Sequence, residues 1–188
     1  MNSKPHEDFL GLSPNDMHDL IYLTFDSDSI LKINSDISDE VLNQIPYFRL
    51  TEEFLKIIER DGFIKLTPLG ALPKKFLVEL YNHRILLDEG IELGIHKLSK
   101  EMDSLALSSI HNNTVASGLV VKRNGRLVLT KAGSKLLGLK FRNQLFIKLL
   151  QTFTEKNDWS NFDLYPRMPI GQIGWGFTII LLLNANTG

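Results

Sequence analysis

Apolar positions recur every three or four residues along most of the chain and give way to short alternating or continuous runs at two places. Met17, Leu20 and Ile21 carry the first helical stripe. Ahead of it Ser13 is placed to cap, Pro14 to take the first helical position and Asp16 to suit the first turn. This helix is expected to end near Leu23. The largely polar run from Thr24 to Asp36, with an isolated apolar segment at Ile30, Leu31 and Ile33, predicts a long loop with one short extended piece. Ser38 can cap a second stripe through Val41, Leu42 and Ile45, which Pro46 interrupts. Thr51-Glu52-Glu53 then predicts a helix start, Phe54, Leu55 and Ile58 its buried face, and Asp61-Gly62 its end. Phe63–Leu66 predicts a strand, Thr67-Pro68-Leu69-Gly70 a helix entry, and Pro73 the main run through Phe76, Leu77 and Leu80.

The second half opens after a mixed, glycine-containing connection, Asn82 to Lys100. Asp103 is expected to cap a helix that runs to about Ser117 and is ended by Gly118. Its second half, Ser108 to Thr114, is built from poor helix formers, so packing must hold it. Asn124-Gly125 supplies the positive φ that a type I′ turn needs at both central positions, and predicts a hairpin. In that register Arg123 faces Arg126, Val121 faces Val128 on the same side, and Val120 faces Leu129 on the other. Thr130 can cap the following helix. Phe141, Leu145, Phe146, Leu149, Leu150 and Phe153 form a clear amphipathic stripe. Trp159 to Pro169 reads as an aromatic and proline-rich loop, and Ile170 to Leu183 as a buried apolar helix.

Seven residues repeat. Ile64-Lys65-Leu66-Thr67-Pro68-Leu69-Gly70 aligns with Leu127-Val128-Leu129-Thr130-Lys131-Ala132-Gly133 at an offset of 63, and each copy stands between a helix and a further helix. An echo of this kind suggests two units of one design.

Composition narrows the class. With 43% hydrophobic and 23% charged residues among 188, the chain has the makeup of an ordinary soluble globular protein. Cysteine is absent, which removes disulfides and thiolate metal sites. The N-terminus lacks a secretory pattern, and Ile170 to Leu183 is too short to span a bilayer. These point to a cytoplasmic protein without a membrane partner. The short stretch after this apolar helix leads to the expectation that the chain is part of a longer one.

Charge is unevenly spread. Residues 1–103 hold 11 Lys/Arg against 19 Asp/Glu, whereas Ser104 to Thr154 holds 8 Lys/Arg and no acidic residue. A basic block centred on the hairpin suits a polyanion. It also suits an acidic surface on the same chain or on a second copy.

The stretch G-L-V-V-K-R-N-G-R-L-V-L-T-K-A-G, Gly118 to Gly133, with the helix before it, resembles the wing of winged-helix regulators of the MarR and ArsR type. A second resemblance spans most of the chain: Gly11–Met17, Lys65–Lys75, Lys100–Asp103 and the wing are together similar to a group of bacterial proteins linked to SEC-C-type or plasmid-borne reading frames. Members of that group continue past the point where this sequence stops, and it implies no activity. The resemblance to winged helices implies a predominantly helical α+β fold with two winged-helix-like units bearing short β-hairpins. The first, stunted unit lies in an N-terminal helical region, 1–82; 83–100 is a connection, 101–156 the winged-helix unit, and 157–188 a loop with the C-terminal apolar helix.

If the second unit binds double-stranded DNA, the helix before the wing offers Ser108, His111 and Asn112 on its exposed face, Asn being suited to adenine. The wing offers Lys122, Arg123 and Arg126, and Lys131 and Lys135 are placed for phosphates. The same fold also serves as a homodimerisation or protein-docking module. No catalytic constellation is expected: the five histidines are scattered, and Gly171, Gly174 and Gly176 have the wrong spacing for a dinucleotide loop. No metal or cofactor is expected either.

Overall fold

The computed structural model describes residues 2–27, 29–160 and 170–185. Its helices are α1 (Pro14–Tyr22), α2 (Asp39–Asn43), α3 (Pro46–Asp61), α4 (Lys74–Tyr81), α5 (Glu89–Glu92), α6 (Leu105–Ala116), α7 (Lys131–Leu136), α8 (Arg142–Glu155) and α9 (Ile170–Ala185). Strands β1 (Ile64–Lys65), β2 (Val120–Arg123) and β3 (Arg126–Leu129) form one antiparallel sheet in the order β1-β3-β2. The fold is therefore predominantly helical with a small sheet. Its contacts divide the chain into two compact units, Met1–Asn34 with Asp158–Gly188, and Ser35–Asn157.

In the first unit α1 packs against α9. Ser13 caps α1 as its sequence predicts: its Oγ accepts from Asp16 N at 3.2 Å, while the Asp16 carboxylate accepts from Ser13 N at 2.8 Å. The bond from Ser13 N, together with one that the Ser13 hydroxyl donates to the same carboxylate at 2.7 Å, holds the Asp16 carboxyl below its ordinary pKa. Trp175 on α9 lies between Phe25 and Trp159, with centroids at 5.6 and 6.4 Å. The expectation that α9 is buried does not hold within the described residues. Gly176 is covered, but Ile173, Ile179 and the three leucines Leu181 to Leu183 are exposed. No helix of the described residues is long and apolar enough to cross a membrane. Of the aromatic and proline-rich loop, 161–169 lies outside the described residues.

In the second unit α3 begins five residues earlier than the sequence suggests. Pro46 opens it rather than interrupting it, because a proline in the first turn lacks only an N–H that would have no intrahelical partner. Phe48, Leu50, Phe54, Leu55, Ile57 and Ile58 then give α3 a buried face, and Gly62 at φ 74° ends it. Thr67–Gly70 is a turn, not a helix entry: Gly70 N donates to Thr67 O at 2.8 Å and Gly70 takes φ +77°. The expected connection at 83–100 lies inside this unit and contains α5, capped by Asp88.

The echoed segments belong to one sheet. Ile64 pairs with Leu127 and Lys65 with Arg126, so the first copy supplies an edge strand to the second instead of forming a hairpin of its own. The expected two units with a hairpin apiece are replaced by a single three-stranded sheet. Even the two glycines differ in purpose. Gly70 has open space and a positive φ, whereas a Cβ on Gly133 would stand 2.1 Å from the Leu119 carbonyl oxygen. The start of α7 lies against the chain entering β2, and Thr130 joins them by donating from Oγ1 to Gly118 O at 2.8 Å.

Beneath the sheet lies one core. Ile64, Leu127 and Val120 face Phe54, Leu55, Ile58, Leu107, Ile110, Leu145 and Leu149, all essentially sealed from water. At its rim Arg142, the first residue of α8, donates from Nε and Nη2 to the two Glu52 oxygens at 2.7 and 2.8 Å, and from Nη1 and Nη2 to Asp39 at 2.6 Å and Asn43 at 2.9 Å. One guanidinium thus ties α8 to α2 and α3, and the fork geometry suits carboxylates. These bonds raise its pKa further above an already high value.

Two stability measurements test this framework. Arg142→Met leaves Glu52, only 8% exposed, without its partner; urea unfolding should register a loss of about 3 kcal/mol, the lower end for breaking a buried pair. Gly133→Ala should cost about 1–3 kcal/mol, the usual penalty for forcing an atom into packed surroundings. Gly138→Ala, whose nearest neighbours stand at 3.4 Å or more, should be close to neutral in the same assay.

Candidate nucleic-acid interface

The hairpin forms as its residues dictate. Asn124 and Gly125 take φ 50° and 68°, and the register sets Val120 opposite Leu129, Val121 opposite Val128 and Arg123 opposite Arg126. Alternation along each strand then sorts the side chains. Val120, Leu127 and Leu129 turn toward the core together with Ile64 of β1. Val121, Arg123, Arg126 and Val128 turn outward, and so does Lys65, because it is paired with Arg126. The result is a row of three cations, Lys65–Arg126–Arg123, running straight across the three strands. All three are exposed, and no side chain of the described residues forms an ion pair with them. The Arg126 guanidinium sits 4.2 Å from the centroid of the Phe63 ring, at a distance where the ring face attracts a cation.

Lys122 takes the opposite side of β2 from Arg123. Its ammonium donates to Gly70 O at 3.3 Å and borders a cleft of about 170 Å³ shared with Ser108, His111 and Asn112 of α6, Glu101, and the turn at Leu69–Ala71. Lys131 and Lys135 are exposed on α7, with Lys135 Nζ 5.4 Å from the Phe141 ring. The structure therefore sorts the eight expected contact residues into three groups. One is the cleft, one the outer sheet face and one α7.

One of those residues is not on the exposed face. His111 is 2% exposed, since it falls on the same stripe as Leu107 and Thr114, four before and three after. Its Nδ1 lies 2.8 Å from Glu101 Oε1, and the other Glu101 oxygen accepts from Leu72 N at 2.6 Å. One hydrogen is shared between Nδ1 and Oε1. His111 Nε2 has no partner among the described residues. Ser108 is half-buried and Asn112 exposed.

Local chemistry explains how α6 persists with so many poor helix formers. Ser104, not Asp103, caps it by accepting from Leu107 N at 3.4 Å. Asp103 instead accepts from Ser99 N and Lys100 N in the turn before, which holds its carboxyl below the ordinary pKa. Within the helix, Ser109 meets the Tyr47 hydroxyl at 3.0 Å and Asn113 donates to Leu149 O at 3.2 Å. The polar residues that weaken the helix intrinsically are those that bolt it to α3 and α8. Its outward positions, Leu105, Ser108, Asn112 and Ala116, carry no charge.

Two participants escaped the sequence reading. Lys65 becomes visible only once the β1–β3 pairing is known. Glu101 becomes visible only once His111 is placed on the buried stripe, which the spacing of Leu107, Ile110 and Thr114 already marks. Comparison with family models, with curated proteins and with solved structures gives no match for this chain. Among the described residues no group of histidine and acidic side chains is arranged to hold a metal ion.

The Glu101 bonds give a third test. Glu101→Ala leaves two buried groups, Leu72 N and His111 Nδ1, without their partner, and should lower stability by about 2 kcal/mol or more, since one orphaned buried polar group costs about 1–3 kcal/mol. Glu101→Gln, which retains an acceptor, should lose less in the same denaturant titration.

Proposed function

We propose that the Ser35–Asn157 unit is a winged-helix module that binds nucleic acid, with a regulatory role in the cytoplasm. The order of elements supports the reading: a helix, α3, an edge strand, β1, the helices α4 and α6 with the short α5 between them, and then a hairpin, with the strands arranged β1-β3-β2. A hairpin tip that is exposed and basic supports it further, as does the absence of any acidic residue between Ser104 and Thr154. The observation that carries most weight is the cation row, which has no ion-pair partner among the described residues, because like charges set directly opposite one another in a sheet repel, and a polyanion relieves them.

The placement of His111 changes how such a module meets its target. A helix whose outward face is Leu105, Ser108, Asn112 and Ala116 has a single carboxamide, Asn112, suited to a base edge and no cation to hold a phosphate. Binding on this reading is carried mainly by charge and is weakly selective for sequence.

A second reading has its own support. Ile45, Tyr47 and Phe48 face Phe146, Leu149, Leu150 and Phe153 across an apolar cleft of about 400 Å³, a surface suited to a protein partner or a second copy. A mobility-shift titration separates the two. Generic duplex DNA should be retarded at low salt, released steeply as salt rises, and no longer bound by the Arg123→Glu, Arg126→Glu double variant. Absence of any shift at micromolar protein, together with a dimeric mass by light scattering, would favour the docking module.

A further inference from the structure

Resting on the nucleic-acid reading, we propose that the site gripping the phosphodiester backbone is the outer face of the sheet, the row Lys65–Arg126–Arg123. Contact is made sheet-first, and α6 is a supporting element rather than the reading head.

Register is the first argument. Lys65 and Arg123 are each the direct cross-strand partner of Arg126, which places neighbouring side chains about 5 Å apart. Within a single chain such an arrangement is self-repelling, and all three residues are exposed. Proteins commonly blunt exposed strand edges with charged side chains; here the row also crosses the central strand, and three cations in register with no counter-charge among the described residues are an arrangement that an external anion completes. A chain of phosphodiesters fits a row better than a single ion does, because successive phosphates meet successive cations.

Preorganisation is the second argument. Arg126, the central member, lies over Phe63 at 4.2 Å, so the aromatic ring limits the guanidinium's freedom and less entropy is lost on binding. Phe63 itself is 37% exposed and extends an apolar floor made by Val121 and Val128 on the same side of the sheet.

Exclusion is the third. On the opposite side, the Lys122 ammonium is turned to the Gly70 carbonyl, and the acidic side chain of Glu101 borders the same cleft as Ser108 and Asn112. A phosphate approaching α6 meets one cation and one carboxylate, whereas one approaching the sheet meets three cations.

The test uses the full chain, fluorescence anisotropy, and a labelled duplex of arbitrary sequence alongside its single strand. Lys65→Ala should weaken binding several-fold and reduce the slope of log affinity against log salt by about 0.7–0.9, the value of one lost phosphate contact. The Lys65, Arg123, Arg126 triple alanine variant should lose binding altogether. Its thermal midpoint should match or exceed that of the parent, since repulsion across the row is removed. Ser108→Ala with Asn112→Ala should leave affinity and slope close to the parent, as should Lys56→Ala, whose ammonium pairs with Glu53. Should Lys65→Ala leave the slope unchanged, or the Ser108, Asn112 pair abolish binding, the sheet-first assignment fails while the nucleic-acid reading stands. If the parent chain binds neither form at low salt, both fail together.

Discussion

Two short strands, brought together from positions 63 residues apart, hold the second unit in its arrangement. Pairing of β1 with β3 closes a loop that contains α4, α5 and α6, and loop closure over such a length has an entropic cost that local contacts cannot offset. What offsets it is the apolar face of the sheet. Ile64, Leu127 and Val120 are sealed against α3, α6 and α8, so the ladder forms only as the helices gather beneath it. Opposite faces of the same strands then acquire opposite character, and the outward residues become neighbours because the inward ones must be. The cation row is a by-product of where the core puts Ile64 and Leu127.

Polar side chains do a second kind of work in this unit. Arg142 joins α8 to α2 and α3, Glu101 joins the turn before α4 to α6, and Ser109 and Asn113 fasten α6 to α3 and to α8. Each is at or below the surface, so each excludes alternative packings more than it adds net stability; a misplaced helix would leave a buried charge or donor unmatched. For α6 this matters most. Its outward face is sparse in polar groups because its polar residues are spent inward.

What was legible in the sequence was local. Caps at Ser13, Ser38 and Thr130, the Asn124-Gly125 turn and its register, and the amphipathic stripe of α8 depend on residues a few positions apart, and all appear as their chemistry requires. Pro46 was ambiguous because proline ends one helix as readily as it begins the next. The echo misled for a physical reason: two segments that pair in one sheet both need a β-forming run followed by a turn, so similarity arose from partnership instead of repetition. Of the candidate interface, Arg123 and Arg126 were visible from the hairpin alone. Lys65 was not, since nothing in its own neighbourhood names its partner, and His111 was misplaced because the buried stripe of α6 admits a bonded histidine as easily as a leucine.

Among the described residues no further strand joins the sheet, which leaves β1 and β2 as its margins. Strand β1 spans only two residues and ends on Lys65, and β2 ends on Arg123. An incoming strand from another molecule would gain few main-chain bonds and would have to bring a chain end bristling with like charge alongside its own copy. The same ammonium and guanidinium groups therefore guard the fold against fibrillar stacking, a protection that is present whether or not any ligand is bound.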